Sequence, residues 1–278
     1  MGKIIISVAP TAAADTKIDR EALVRDITAS RNAGAAMVHM HVRDPLCRLT
    51  DDISFFKEIA EAAAEKSGIV IQGSTGGVSS MNIKQRCAPL YYDRVESCSL
   101  NVGSMNLGQF IYENPIQDVE YCCREIVRQN KYPEAEVFEL GMIAAADRLW
   151  KKLSMPSPPL YNIVLGHEGG APADIDTLIA MRSRLPSGCI WGITHAGRHN
   201  FDILTAAVLM GASLVRIGFE DSNMLSDTEE AESNAVLVRK FAEILRALGH
   251  EPASPADLRQ MIADKSDAVL RTSRAMHN

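Results

Sequence analysis

Residues 37–45 read Met-Val-His-Met-His-Val-Arg-Asp-Pro, with two histidines inside an otherwise apolar run that is typical of a buried strand. Successive side chains on a strand point to opposite faces, so His39 and His41 share one face and the apolar residues around them share the other. Two imidazoles side by side at the carboxyl end of a strand can form half of a divalent-metal site. A pair of hydrogen-bonded histidines without a metal is the alternative, and the stretch by itself leaves both open.

Short apolar segments rich in β-branched residues recur on both sides of this stretch, and each is followed by residues with helical spacing. The predicted strands cover about residues 3–9, 35–43, 69–75, 94–100, 135–140, 160–165, 189–194 and 212–220. The predicted helices cover about residues 19–33, 51–66, 82–89, 115–130, 142–152, 174–184, 200–210, 227–248 and 255–270.

Strict alternation of eight strands with helices predicts parallel strands joined by crossover helices. Eight such units in 278 residues favour an α/β fold of the closed (β/α)8 TIM-barrel type. An open doubly wound sheet is the alternative, but its G-x-G-x-x-G fingerprint is absent after the first strand. No break in composition is long enough to be a linker, so we expect a single domain over residues 1–278, with an extra helical segment from about residue 250.

The amino-acid composition limits the kinds of protein that this chain can be. The apolar share of 46% and the charged share of 23% are ordinary for a globular protein, and the net charge of −6 argues against a nucleic-acid partner. No apolar run reaches the ~20 residues of a membrane span, and the start of the chain does not resemble a signal peptide. The six cysteines lack C-x-x-C spacing. We therefore expect reduced thiols in a cytoplasmic protein that binds no membrane.

Barrel enzymes build their active sites at the carboxyl ends of the strands and in the loops that follow. Polar side chains collect at these positions here, which the stability of a barrel does not require. The candidate site residues are His39, His41, Ser74, Thr75, Gly76, Ser99, Asn101, Glu139, Arg216, Glu220 and Asp221.

A metal held by the two histidines needs a further ligand, and the end of the eighth strand offers Glu220 and Asp221. Two histidines and one carboxylate, with an open position for substrate, are a common catalytic zinc arrangement. Strand alternation places Arg216 and Glu220 on one face and Asp221 at the turn. We assign Glu220 as a ligand and Asp221 as a general base that Arg216 orients. An ordinary ion pair between Arg216 and Asp221 is the alternative.

The other candidates have weaker individual signals. The run Ser74-Thr75-Gly76-Gly77 offers hydroxyls and backbone N–H groups to an anion such as a carboxylate, or is a plain turn. Asn101 could orient a carbonyl or a carboxylate group. Glu139 could bind substrate or support the residues that do.

Five segments together resemble the β-keto acid cleavage enzyme family, and the similarity runs from the amino terminus to about residue 250. The two-histidine strand combined with Arg-Ile-Gly-Phe-Glu-Asp at the end of the eighth strand is the specific part of the pattern. The segments are His39-Met-His-Val-Arg43, Gln72-Gly-Ser-Thr-Gly-Gly77, Ser99-Leu-Asn-Val-Gly103, Glu139-Leu-Gly-Met142 and Val215-Arg-Ile-Gly-Phe-Glu-Asp221.

The resemblance implies a (β/α)8 barrel that binds zinc and works as a homo-oligomer, either a dimer or a tetramer. It implies an exchange in which a β-keto acid and the co-substrate acetyl-CoA become acetoacetate and a new acyl-CoA, without a further cofactor. The residues that it implies are His39, His41 and Glu220 for zinc, Ser74, Asn101 and Glu139 for substrate, and Arg216 with Asp221 as the acid–base pair.

One departure from the family concerns the substrate. Members that act on an amino substrate hold its ammonium group with an acidic residue near the end of the first strand, where this chain has Ala14. A shift of one residue could let the neighbouring Asp15 take this role. In the sixth-strand loop, His167 and Glu168 replace a smaller apolar pair. We therefore expect a different polar β-keto acid.

Two other functions are compatible with the same residues. A zinc-dependent aldolase or hydrolase would use the same ligands without acetyl-CoA. A metal-stabilised, non-catalytic ligand-binding barrel is the alternative outside enzymology. The acid–base pair beside the metal counts against it, because a structural zinc site needs neither an open position nor a base.

Overall fold

The computed structural model describes residues 2–263 of the 278-residue chain. The strands, in chain order, are β1 (Lys3–Val8), β2 (Met37–Met40), β3 (Val70–Ser74), β4 (Val95–Asn101), β5 (Met105–Leu107), β6 (Phe110–Tyr112), β7 (Tyr132–Val137), β8 (Leu160–Leu165), β9 (Ile190–His195), β10 (Leu214–Ile217), β11 (Met224–Ser226), β12 (Glu229–Glu230) and β13 (Glu251–Pro252). The helices are α1 (Arg20–Ala33), α2 (Ser54–Ser67), α3 (Ile83–Arg86), a 3₁₀ turn (Ala88–Tyr91), α4 (Ile116–Arg128), α5 (Leu140–Leu153), α6 (Ile175–Arg182), α7 (Asp202–Leu209) and α8 (Asn234–Ala247).

Eight parallel strands close into a barrel in the order β1, β2, β3, β4, β7, β8, β9 and β10. The closing pair is β10 with β1, in which Ile5 to Val8 lie opposite Leu214 to Ile217. The predicted (β/α)8 barrel is thereby confirmed. Two antiparallel hairpins, β5–β6 and β11–β12, extend the loops that follow β4 and β10. No helix within residues 2–263 is long and apolar enough to cross a membrane.

The helix ends show how local side chains set the boundaries. Asp19 lies just before α1, where its carboxylate accepts a hydrogen bond from the backbone N–H of Ala22 at 2.9 Å. Helix α2 begins at Ser54, later than predicted, because Asp52 instead forms a local turn in which its carboxylate accepts from the backbone N–H of Ser54 at 2.9 Å. Gly68 ends α2 in the left-handed conformation, with φ of 66°.

The fifth barrel strand lies earlier in the chain than the predicted range 135–140. The prediction was wrong because Pro133 and the two acidic residues after it are unusual in a central strand. Pro133 is the second residue of β7, and Glu134 and Glu136 are buried at 0% and 5% exposure. Glu139 therefore lies beyond the strand, in the N-cap position of α5.

The last barrel helix also begins later than predicted. Residues 227–233 were expected to be helical, but β11 and β12 form a hairpin and α8 begins at Asn234. The backbone N–H groups of Asn234 and Ala235 donate to the carboxylate of Asp26 at 3.2 Å each. A side chain from α1 thus caps α8, and no local pattern in the sequence indicates such a distant cap.

A layer of apolar side chains fills the amino-terminal end of the barrel, and the segment that follows β13 packs against it through Ala253 and Leu258. The chain is helical from residue 255 to 263, and the remainder of the predicted helix 255–270 lies outside the described residues. The apolar layer consists of Ile5, Ala36, Met37, Val70, Tyr132, Leu160, Ile190 and Leu214. Because this end is closed, a ligand reaches the barrel interior from the carboxyl end of the strands.

The close contact between β9 and β10 depends on Gly192. A Cβ atom there would lie 2.7 Å from Cδ2 and 2.9 Å from the carbonyl oxygen of Leu214. We expect Gly192→Ala to lower the free energy of unfolding by about 1–3 kcal/mol, because the closed barrel has no room to relax. Urea denaturation measures the change.

Gly141, in the first turn of α5, provides the matched control because a Cβ atom there meets nothing within 4 Å. Gly141→Ala should raise the free energy of unfolding by up to about 1 kcal/mol. If Gly192→Ala were as stable as the parent chain, β9 and β10 could not pack as described.

Candidate functional site

Three possible metal ligands meet at the open end of the barrel. His39 belongs to β2, His41 follows it, and Glu220 follows β10. Oε1 of Glu220 lies 3.8 Å from Nε2 of His39 and 3.4 Å from Nε2 of His41. Ligand atoms of a tetrahedral zinc site lie about 3.3–3.6 Å apart, given bonds of about 2.0–2.2 Å. Among the described residues, these three form the one group of histidine, cysteine and acidic side chains able to hold a metal ion.

A hydrogen-bond relay fixes the orientation of His39. Nδ1 of His39 lies 2.7 Å from Oε1 of Gln72, and Nε2 of Gln72 donates to Glu134 at 2.7 Å. Since the amide nitrogen is directed at the carboxylate, the amide oxygen faces the ring and accepts from Nδ1–H. The lone pair of His39 is therefore on Nε2, which faces Glu220. Burial lowers the pKa of His39 to about 3, so the ring is neutral, as metal binding requires.

The hydrogen-bond relay continues through the barrel interior beyond Glu134. Asn162 donates through Nδ2 to the second oxygen of Glu134 at 2.6 Å and to Oγ1 of Thr194 at 2.9 Å. Gln72 also donates to Ser97 at 3.1 Å. Burial raises the pKa of Glu134, although the hydrogen bonds from Gln72 and Asn162 oppose this. Side chains from five strands therefore position one imidazole.

Arg216 is the centre of a second cluster. Its guanidinium donates to both oxygens of Asp221 at 3.0 and 2.7 Å and to Glu136 at 2.8 Å, and it lies 3.6 Å from Glu220. Burial raises the pKa of Glu136 to about 7, even though Arg216 favours its ionised form. Burial also raises the pKa of Asp221, against the same opposing charge. One buried cation thus binds the predicted base and an acidic residue that was not predicted.

A cavity of about 100 Å³ joins the two clusters. Asp221 does not line it and lies behind Arg216. The side chains around the cavity come from the loops and strand ends at the carboxyl end of the barrel. They are His39, His41, Ser74, Leu107, Tyr112, Glu136, Phe138, His167, Arg216 and Glu220, with the backbone of Gly77.

The predicted hydroxyl residues divide into two groups. Ser74 lines the cavity, and its Oγ lies 3.2 Å from Oγ of Ser99, which is buried beside it. Thr75 is turned away, and its hydroxyl donates to the carbonyl oxygen of Ser99 at 2.7 Å. Ser74 therefore faces the cavity directly, whereas Ser99 and Thr75 support it.

Gly76 and Asn101 lie next to each other beside the cavity. A Cβ atom on Gly76 would lie 2.5 Å from Nδ2 of Asn101 and would also overlap the hydroxyl of Tyr112, so only glycine fits. The hydroxyl of Tyr112 accepts a hydrogen bond from the N–H of Gly77 at 3.0 Å. Asn101 is 3% exposed, and neither atom of its amide has a partner in the described structure.

Glu139 and Glu168 are not brought to the cavity. Both side chains are exposed, and Glu139 occupies the N-cap position of α5 without a capping hydrogen bond. Glu136 is the acidic residue of this segment that lines the cavity. The alternation of Glu134 and Glu136 between apolar residues is the signal that could have identified it, since both lie on one face of a strand.

The relay to His39 generates a prediction about metal affinity. Gln72→Leu removes the acceptor of Nδ1–H, so we expect the metal affinity to fall about 10–100-fold. Competition with a chelator measures it, with His39→Ala as the variant that loses the metal. Gln117→Leu, on the exposed surface of α4, is the control that keeps full affinity. Unchanged affinity in Gln72→Leu would contradict the role of the relay.

Comparisons with known proteins identify the family to which the chain belongs. A sequence model described as "beta-keto acid cleavage enzyme" matches residues 3–263. The 3-keto-5-aminohexanoate cleavage enzyme of Fusobacterium nucleatum is 32% identical over 274 residues, which cover 95% of this chain and 99% of that protein. The 3,5-dioxohexanoate:acetyl-CoA acetone transferase of Paraburkholderia graminis is 27% identical over 303 residues, covering 96% and 97% of the two chains.

Among solved structures, a ternary complex of ObcA with a C4-CoA adduct and oxalate has a TM-score of 0.75 at 20% identity. It covers 90% of this chain and 67% of that chain, and at this identity it supports the fold alone. The match of the family over residues 3–263, together with the 32% identity to a relative of almost equal length, shows that the chain belongs to the β-keto acid cleavage enzyme family.

Proposed function

We propose that the protein is a zinc-dependent enzyme that condenses a β-keto acid with acetyl-CoA and cleaves the adduct into acetoacetate and a new acyl-CoA. The observation that carries the proposal is that the possible metal ligands line one small cavity together with Arg216 and Glu136. Family membership supports the β-keto acid, and the name of the Paraburkholderia relative includes acetyl-CoA.

The donor set supports zinc. Two imidazole nitrogens and one carboxylate oxygen, from His39, His41 and Glu220, suit this ion. Zinc held there would polarise the carbonyl groups of the substrate and make the carbon between them more acidic. Burial alone would raise the pKa of Glu220, but the hydrogen bond from His41 and the positive charge of Arg216 favour the ionised form and hold this pKa below its usual range. Glu220 is therefore ionised, as a ligand must be.

The Arg216 cluster is the proposed acid–base unit. Asp221 binds Arg216 through two hydrogen bonds, and Glu136 binds the same guanidinium from the cavity side. A carboxylate whose pKa is near neutrality can both accept and return a proton, and burial raises the pKa of Glu136 to about 7. We propose that Asp221, Arg216 and Glu136 act together on the proton of the carbon between the carbonyls.

The proposed reaction then proceeds in two exchanges. The deprotonated carbon forms a bond to the acetyl carbonyl carbon, and the CoA thiolate leaves. The thiolate attacks the keto carbon of the original substrate, the bond between that carbon and the former nucleophile breaks, and its electron pair returns to acetoacetate, which regains the proton. Ser74, which lines the cavity, is placed to hold an oxygen of the substrate during both steps.

We also propose that the protein acts as a homo-oligomer in the cytoplasm, on the basis of its resemblance to the family. All six cysteines are free thiols, which supports a reducing compartment.

The proposed acid–base unit predicts that kcat depends on Glu136 and Asp221 but not on Glu139, which lies three residues after Glu136 in the chain. Glu136→Gln and Asp221→Asn should each keep the metal and lower kcat at least about 100-fold, since a positioned acid–base group contributes this much. Steady-state kinetics and metal analysis measure both properties. Glu139→Gln, on the exposed N-cap position of α5, is the matched control that keeps kcat. A normal kcat in Asp221→Asn would show that Asp221 takes no part in the proposed acid–base unit.

The reaction is tested by incubating the purified protein with β-keto acids and acetyl-CoA labelled in its acetyl group. We expect labelled acetoacetate and an unlabelled new acyl-CoA, in equal amounts. Cleavage of the β-keto acid without transfer of label would contradict the exchange and would favour an aldolase or a hydrolase.

A further inference from the structure

We propose that the substrate is a β-keto acid whose group beyond the keto carbon is short and uncharged. This inference rests on the proposed function and concerns which member of the substrate class fits the cavity. It replaces the expectation of a polar substrate, which relied on Ala14 after the first strand and on His167 and Glu168 in the sixth-strand loop.

The cavity has two chemically different sides. In the closed strand order, four steps separate β2 from β8, so these strands lie opposite each other. The metal ligands and Arg216 come from β2, β10 and their loops. The other side is formed by Leu107, Tyr112, Phe138 and His167, from the β5–β6 hairpin and the ends of β7 and β8. A substrate bound by its carboxylate and keto oxygens at the polar side directs its remaining group to this apolar side.

The apolar side consists of packed rings. The ring of Phe138 lies 6.0 Å from that of Tyr112, nearly perpendicular at 89°, and 5.8 Å from that of His167. Burial, with a smaller contribution from the charge of Arg216, lowers the pKa of His167 to about 4, so this ring carries no charge at neutral pH. Burial likewise raises the pKa of Tyr112, which is therefore neutral. Neither side chain offers a charge to a substrate.

The charged groups of the cavity are already paired. Arg216 directs Nε, Nη1 and Nη2 at Asp221 and Glu136, and Glu220 lies between the two histidines. An additional carboxylate on the substrate would find no free cation among the described residues that line the cavity. A buried charge without a partner is strongly disfavoured, and an uncharged group avoids this cost.

The acidic residues available for an ammonium group lie elsewhere. Asp15 is exposed, and its carboxylate accepts a hydrogen bond from the N–H of Ala12 at 3.0 Å within its own loop. It lines a separate surface pocket with Lys17 and Asp19 rather than the cavity. Glu168 is also exposed, and its carbonyl oxygen accepts from the N–H of Gly108 at 2.9 Å. The small volume of the cavity, about 100 Å³, further favours a short group.

The experiment compares kcat/KM for three substrates with labelled acetyl-CoA: 3-oxopentanoate, which is neutral beyond the keto carbon, 3-oxo-5-aminohexanoate, which is cationic, and 3-oxoadipate, which is anionic. We expect the neutral substrate to be preferred at least about 100-fold, because the charged ends would be buried without a partner. Equal or better turnover of either charged substrate would overturn this inference and leave the proposed function intact. Exchange with none of the three would overturn the proposed function and this inference with it.

Two variants test whether His167 faces that end of the substrate. His167→Glu should shift the preference toward the cationic substrate by about tenfold or more, since it supplies a buried partner for the ammonium group. His167→Asn, which stays neutral, should retain the preference of the parent chain and shows that the loop tolerates a change. Asp15→Asn should leave all three kcat/KM values unchanged. An unchanged preference in His167→Glu, or a changed one in Asp15→Asn, would overturn the assignment.

Discussion

The hydrogen bond between Nδ1 of His39 and the amide oxygen of Gln72 is the interaction on which the proposed metal site depends. Gln72 can present its oxygen to the ring because Glu134 takes its amide nitrogen, and Asn162 holds Glu134 in turn. All of these side chains are buried, so the direction of each hydrogen bond is fixed by the next partner. The consequence at the surface of the cavity is a neutral imidazole whose Nε2 lone pair faces Glu220.

The cluster around Arg216 is the second constraint, and the proposed acid–base chemistry explains it better than a contribution to stability does. A buried cation with two carboxylates bonded to it, and a third nearby, contributes little net free energy of folding, because the desolvation of each charge offsets the attraction. Perturbed pKa values in such a cluster are typical of functional sites. The raised pKa values of Glu136 and Asp221 have the same cause, which is burial, and the same opposing charge.

The sequence predicts the parts of the fold and site that depend on local pattern. Strand–helix alternation identified the eight-strand barrel, and residues at strand ends identified His39, His41, Glu220 and the Arg216–Asp221 pair, all of which the structure brings together. The polar side chains inside strands were missed. In the sequence, Gln72 and Glu134 interrupt apolar runs, and only the closed barrel shows that both are buried in its interior. Buried polar residues also made the predicted fifth strand begin and end too late in the chain. Glu139, rather than Glu136, was therefore predicted to bind substrate.

The central claim is that His39, His41 and Glu220 hold zinc. Its most direct test is X-ray absorption at the zinc edge of the purified protein. The account predicts one zinc per chain with two imidazole nitrogens among nitrogen and oxygen ligands at about 2.0–2.2 Å and no sulfur. Sulfur ligands at about 2.3 Å, which the buried cysteines would supply, or a spectrum without imidazole scattering, would contradict it.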